Sequence, residues 1–427
     1  MTDAIAGPIP CDLLLTGGLV VTLDDDDSIL PNGAIAIVAG RIVAIGPTEA
    51  MRRQWRAARS LDARNRVVMP GLVNVHNHTP LMITRGMIED LGFAPMFTAG
   101  VPQGHHLDES DAAALSRLGV YEMLRTGSTT IVDFYRYPQA LARAHAEIGT
   151  RAIIGGRIHD ADPEALTQKR YAYSAAVGAE SIAENLALIE DWQGFDGGRI
   201  RCDLAPHAPD TCSDALLREV AYLAGRHGGN IHTHVCQSEN EVAQTRARNG
   251  RSPVETLEEA GLLNARLIAA HCIHVTTDDQ MRLGGARATM AYTPIGNAKT
   301  GRIAPAAALG RAGARIALCT DTFSGDMFEA MRWAVSMQRV LGESDGLDAR
   351  AALRWATWSG AEALGLGAEI GALEAGRKAD MILLDRDDPT LAPIIDGFGA
   401  LVWTGSGANV RTAIVDGRIV MEDGKLT

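Results

Sequence analysis

The chain has no stretch approaching the roughly 18 consecutive apolar residues of a membrane span, and its N-terminus shows no basic region followed by an apolar one. A cytoplasmic protein with no membrane partner is therefore expected. There is no CxxC pair. Cys11, Cys202, Cys212, Cys236, Cys272 and Cys319 lie far apart, which argues against a zinc ribbon or a redox couple and predicts buried reduced thiols. There is no basic stripe either: Lys and Arg are scattered and the formal net charge is −12, so nucleic acid is not an expected partner. The one charge run, Asp24 to Asp27, follows a β-rich segment. Adjacent acids there would splay to opposite sides, so the run reads as a solvated turn rather than a metal site.

What is present is ordinary globular composition, 46% hydrophobic and 22% charged over 427 residues, enough for one large barrel and a smaller companion. The first seventy residues read as short strands at Leu13 to Leu15, Gly18 to Leu23, Ala34 to Val38 and Arg41 to Ile45. The same texture returns after residue 372, in Asp380 to Leu384, Val402, Val410 to Val415 and Arg418 to Met421. The two ends are expected to pair into one small β-sandwich domain, residues 1–69 plus 373–427.

Between them, over 70–372, eight apolar runs alternate with helical patterns, the mark of parallel βαβ units. They are Val67 to Val75, Thr130 to Phe134, Ala152 to Arg157, Ile200 to Ala205, Asn230 to Val235, Leu267 to Ala270, Ala288 to Tyr292 and Ile316 to Thr320. Eight such strands close naturally into a (β/α)₈ barrel. A helix is predicted over Ser110 to Arg125, stopped by Gly127. Thr79 to Asp108, rich in Gly, Pro and Met, is too long for a simple connection and reads equally as a lid over the barrel mouth or an inert insertion. His105 and His106 within it read as a solvated pair.

His76 and His78 end the first barrel run as His-Asn-His, and the period of two turns both imidazoles to one face. Alone, such a pair carries little weight, because core histidines are common. Position changes that: His207, His234, His271 and Asp321 each fall at the C-terminal end of another predicted strand, where barrel active sites assemble. Five histidines out of 12 in the chain, together with a carboxylate, suit a catalytic Zn²⁺ or Fe²⁺ site with an open position. Such an ion lowers the pKa of a water to near neutrality, which points to hydrolysis.

These residues lie in segments that together resemble the amidohydrolase superfamily, in its branch of adenosylhomocysteine-type and triazine-type aminohydrolases. The segments are PGLVNVHNH (Pro70 to His78), TGSTTIVDF (Thr126 to Phe134), APHAPDTCS (Ala205 to Ser213), IHTHVCQSENEV (Ile231 to Val242), AAHCIHV (Ala269 to Val275), TPIGNAKTG (Thr293 to Gly301), CTD (Cys319 to Asp321) and IGALEAGRKADMILLD (Ile370 to Asp385). The resemblance implies one divalent metal, Zn²⁺ or Fe²⁺, held by His76, His78, His234 and Asp321. It makes Asp321 also the proton acceptor, His271 the partner of the water or the developing oxyanion, and His207 a substrate contact. His232, on the same strand face as His234, reads equally as a packed side chain or an outer support of the metal.

Two departures stand out. Where the aminohydrolases place glutamate three residues after the third ligand this chain has Gln237, which can position a substrate but cannot shuttle a proton. Where they have His-Asn-Pro it has Tyr292-Thr293-Pro294. No lysine ends the fourth strand, Ala205-Pro206-His207, so a single metal is expected rather than a bridged pair. The leading expectation is hydrolysis, by hydroxide generated at that metal, of a non-peptide carbon–nitrogen bond or a related leaving group on a small N-heterocyclic or amide-like substrate. The alternatives are an ammonia-releasing deaminase of a purine, pteridine or triazine ring, a triazine-type chlorohydrolase, and a non-catalytic scaffold. A homo-oligomer is expected.

Overall fold

The computed structural model describes residues 7–87, 107–168, 170–299, 301–322, 324–343 and 345–427. The apolar runs become parallel strands: β1 (Leu72–Asn77), β2 (Ser128–Tyr135), β3 (Arg151–Ile158), β4 (Ala205–Pro206), β5 (Ile231–Val235), β6 (Leu267–His271), β7 (Thr289–Tyr292) and β8 (Arg315–Leu318). They pair in the orders β4-β3-β2-β1 and β5-β6-β7-β8. A short strand, Ile200–Cys202, pairs with β3 ahead of β4, so the fourth predicted run is broken in two.

Hydrogen bonds join the two sheets at both edges. His232 N–H donates to the Leu204 carbonyl at 3.0 Å and His234 N–H to the His207 carbonyl at 3.0 Å. On the other edge Asp321 N–H reaches the His76 carbonyl at 3.1 Å. There, too, Asn74 donates to Thr320 Oγ1 at 2.7 Å and accepts from Thr320 N–H at 3.2 Å. The result is a curled parallel sheet in an α/β fold, its inside filled by Val75, Val132, Ile153, Ile268, Ala270 and Ala317.

Strands from both chain ends share one nine-stranded sheet, in which Met381–Asp385 runs antiparallel to Arg66–Pro70 and to Val410–Val415. The chain leaves that sheet for the curled parallel sheet at Gly71, so the predicted run Val67 to Val75 is two strands. A Cβ at Gly71 would stand 2.0 Å from Thr129 Oγ1, so only glycine passes there. Arg151, fully buried at the start of β3, clamps the curled sheet to the end sheet by ion pairs to Asp380 at 2.7 Å and Asp416 at 2.6 Å.

Three further points differ. Val402 lies in a helix, Gly397–Trp403, because the Asp396 side chain accepts from Phe398 N–H and Gly399 N–H and starts one. Trp55–Asp62 is an unforeseen strand, parallel to Ile9–Val21 and largely exposed; its polar content hid it. The acidic turn is not wholly solvated, since Asp27 pairs with Arg350 at 3.0 Å and Arg354 at 2.8 Å. The helix α1 runs Glu109–Arg125 with an Asp108 capping box, and Gly127 follows it at φ 101. All six cysteines are free and buried. Among the described residues no helix is long and apolar enough to cross a membrane.

Candidate metal centre

The C-terminal ends of β1, β5, β6 and β8 bring His76, His78, His234, His271 and Asp321 together. His78 Nε2 lies 3.1 Å from His234 Nε2. Asp321 Oδ1 is 3.8 Å from His78 Nε2 and 4.0 Å from His76 Nε2, and its Oδ2 is 3.9 Å from His271 Nε2. All five side chains are buried. Asp321 at φ 57, His271 at φ 75, Cys272 at φ 50 and Cys236 at φ 51 occupy left-handed backbone. Such strain persists only where surrounding structure imposes it, and it gathers at functional sites.

Hydrogen bonds fix the tautomers. His78 Nδ1 lies 2.6 Å from the Phe134 carbonyl and His234 Nδ1 2.6 Å from the His207 carbonyl. A carbonyl can only accept, so each Nδ1 carries the proton and each neutral ring turns its Nε2 lone pair inward. Two lone pairs then face one another at 3.1 Å, a repulsive contact unless a cation lies between them. Nitrogens about 2.1 Å from a common tetrahedral Zn²⁺ stand about 3.4 Å apart, and the observed ligand spacings fall on either side of that. Both nitrogens of the buried His76 ring are unpartnered among the described residues. The donor set therefore fits a divalent ion.

Burial, then neighbouring imidazoles, hold His76 and His78 well below the ordinary histidine value, and burial brings His234 down to about 4 and His271 to about 3. The rings are thus neutral, the form that binds metal, at any physiological pH. Burial pushes the Asp321 carboxyl up to about 7 in the metal-free protein, against one backbone hydrogen bond from Thr322. A carboxylate this poorly compensated awaits a cation.

His271 is oriented from behind. Its Nδ1 lies 3.0 Å from Thr293 Oγ1, whose hydroxyl donates to Asn297 Oδ1 at 2.8 Å. Thr293 therefore accepts from Nδ1–H, and His271 Nε2 faces Asp321 as a lone pair. The Tyr292-Thr293 departure thus supplies the histidine's partner, while Tyr292 is buried and accepts from Gln338 Nε2 at 2.9 Å. His207 sits with its ring 4.8 Å from that of His234, its Nδ1 2.7 Å from Thr211 Oγ1. Its backbone carbonyl orients a histidine, a role no side-chain motif signals. His232 stacks on His76 at 5.6 Å and 11°.

Gln237 follows β5 on a loop held by Glu241, a buried residue in the first turn of helix α2 (Glu239–Asn249). Its carboxylate accepts from Cys236 N–H at 2.8 Å and Gln237 N–H at 2.7 Å. Sequence reasoning passed over Glu241, although its spacing from His234 was there to see. It also passed over Arg157, the last residue of the third predicted strand. The suspected lid falls mostly outside the described residues, as do His105 and His106; the described part begins with a 3₁₀ turn, Thr79–Thr84, pinned by Thr79 N–H and Oγ1 to Asp133.

The chain is similar to known proteins over nearly its whole length. The pattern of the amidohydrolase family matches residues 67–420, and a short stretch, 33–58, matches an imidazolonepropionase-like composite domain of bacteria. The chain is 35% identical to a 5-methylthioadenosine/S-adenosylhomocysteine deaminase of Syntrophobacter fumaroxidans, over 98% of this chain and 95% of that one. It is 33% identical to a 5'-deoxyadenosine deaminase of Methanosarcina acetivorans, over 96% and 93%. Among solved structures, an adenosine deaminase from Xanthomonas campestris with bound zinc superposes with a TM-score of 0.88 at 30% identity, covering 98% of this chain and 95% of that one. A zinc-complexed atrazine chlorohydrolase from Arthrobacter aurescens shares the fold, with a TM-score of 0.85 at 22% identity over 97% and 96%.

Proposed function

Because this chain belongs to the amidohydrolase family, a metal-dependent hydrolase of carbon–nitrogen bonds, we propose that it hydrolyses a C–N bond on a small N-heterocycle of purine type, using one divalent ion, Zn²⁺ in the first instance. His76, His78, His234 and Asp321 hold that ion. The observation that carries the reading is the pair of inward Nε2 lone pairs of His78 and His234 at 3.1 Å, each ring locked by a carbonyl on its far side. The reading keeps the expected division as part of the proposal, a closed eight-stranded barrel over 70–372 and a small β-sandwich from 1–69 and 373–427. When bound, the ion supplies Lewis acidity and makes a water acidic enough to act near neutral pH.

The chain's own residues do the rest. Asp321 takes the proton of the attacking water and hands it to its neighbour His271, whose unprotonated Nε2 can receive it and pass it to the nitrogen of the bond that breaks, so that the leaving group departs protonated. Gln237, held by its backbone to Glu241, offers an amide to the ring but no acid. His207 lines the same mouth. The zinc-bearing adenosine deaminase and the nucleoside deaminases among the relatives favour an exocyclic ring amine as the bond cleaved.

A second reading rests on Gln237 itself. A positioned acid contributes about 10² to 10⁴ in rate when a basic amine departs, so a site without one favours a leaving group that is a weak base, as in the chlorohydrolase alternative. Gln237→Glu separates the two. Assayed with paired amino- and chloro-substituted rings, the glutamate variant raises turnover of the amine relative to the chloride under the second reading. It leaves the ratio unchanged if His271 already delivers the proton.

A further inference from the structure

Helix α3 (Met327–Val340) follows β8 and buries Ala330, Met331, Ala334 and Val335 against the core. Its outward face does not turn polar, as the solvated side of a surface helix does. Trp333, Met337 and Val340 recur there at i, i+4 and i+7 and form one apolar stripe. Val340 is 71% exposed, Leu341 just beyond it 46%, and Trp333 37%. Trp403, 39% exposed at the end of the helix Gly397–Trp403, widens the stripe on one side. It is held there by α3, since Arg332 donates to the Val402 carbonyl at 3.3 Å and the Arg339 guanidinium lies 5.1 Å over the Trp403 ring. Apolar side chains exposed singly are ordinary; four gathered on one face mark an interaction surface.

Charge at the two ends of the stripe says what covers it. Glu329 lies in the first turn of α3 and Arg339 in the last. The Glu329 carboxylate has no ion-pair partner among the described residues. Arg339 meets the Trp403 ring and the Leu347 carbonyl, at 3.5 Å, but no carboxylate among them. The two positions are about 15 Å apart along the helix axis. When two such helices pack antiparallel about a two-fold axis, Glu329 of each copy comes opposite Arg339 of the other, and Trp333 and Met337 of both copies meet beside the axis. The helix dipoles oppose one another in the same arrangement, which favours it further.

We propose that α3 is the docking face for a second copy of this chain, in a two-fold dimer with the apolar stripe at its centre and two Glu329–Arg339 pairs at its rim. The face complements itself in shape and charge, which is what an isologous contact requires. None of its residues belongs to the metal centre, so the proposal stands apart from the hydrolase reading above.

The test is sedimentation velocity of the full-length, metal-loaded protein across the micromolar range, with metal content and far-UV circular dichroism recorded as checks on folding. Wild type should be a dimer. Val340→Glu sets a charge in the stripe of each copy and should leave monomers, while Val340→Ser, a milder change at the same exposed position, should weaken the dimer about tenfold. Glu329→Arg and Arg339→Glu each place like charges opposite one another twice, once on either side of the axis, and should raise the dissociation constant about 100-fold or more. Glu329→Arg combined with Arg339→Glu restores opposite charges and should return it to within about tenfold of wild type. All variants should hold metal like wild type.

A wild type that stays monomeric overturns the proposal. So does a dimer that survives the Val340 and single charge variants, because its interface then lies elsewhere. A double variant as dissociated as the singles refutes the antiparallel register, since only direct contact between these two side chains across the axis gives mutual rescue.

Discussion

Replacing Asp321 by asparagine separates the two roles assigned to that side chain, because the change is isosteric and the backbone tolerates it. Asparagine accepts the left-handed conformation observed at φ 57. The Asn77 side chain, which also reaches Thr320 Oγ1, donates to the Asp321 backbone carbonyl and is unaffected. Turnover should fall by about 10² to 10⁴, the usual contribution of a general base. Three imidazoles and a weak amide oxygen should keep most of the metal.

A second measurement uses protein stripped by a chelator. There, burial lifts the Asp321 carboxyl from its ordinary 3.8 to about 7, equivalent to roughly 4 kcal/mol at most. A raised folded-state value means that the carboxyl's contribution to stability is full below about pH 4 and is lost as pH rises through 7. The asparagine variant has no such loss. Stripped wild type and variant should therefore have similar urea midpoints near pH 4, and the variant should become the more stable by up to that amount above pH 7. The depressed histidines weaken both proteins alike as pH falls, so they cancel in the difference. Metal and turnover falling in proportion would show Asp321 to be a ligand only, and a flat stability difference would refute its uncompensated burial.

Elemental analysis of purified protein should find close to one equivalent of Zn²⁺ or Fe²⁺, with His76→Ala plus His78→Ala losing it; two tightly held ions per chain would refute a single site. Thr293→Val removes the acceptor that orients His271 and should lower kcat about tenfold or more with metal content unchanged; an unaltered kcat would mean the ring is held by other contacts. Asp380→Asn leaves the buried Arg151 guanidinium with a weakened partner set. It should cost about 3 to 5 kcal/mol in urea unfolding, and a loss below 1 kcal/mol would show that Asp416, which also pairs with Lys378 at 3.4 Å, shifts to compensate.

The sequence by itself determined the α/β class with its parallel strands, and it named the residues that the fold gathers into the candidate centre. Apolar runs of strand length separated by helical patterns specify parallel strands, since side chains buried on both faces must be apolar. The period of two turns His76 with His78, and His232 with His234, to one side. Asp321 and His271 could be placed because barrel strands deliver their last residues to a common mouth.

What only the tertiary structure decided are the relations that carry no residue identity. The acceptors that fix the ligand tautomers are the carbonyls of Phe134 and His207, and any residue has a carbonyl. Thr293 and Glu241 look like ordinary polar residues until folding sets one against His271 and the other under the Cys236–Gln237 amides. Arg157 reads as the end of a strand, and only the folded chain sets its guanidinium 5.4 Å over the Tyr135 ring, which lies against His78. Val402 in an apolar run is ambiguous between strand and helix, and the Asp396 cap resolved it. Local pattern sets which face a side chain takes; what it meets there depends on segments far away in the chain, brought close only when the sheet closes.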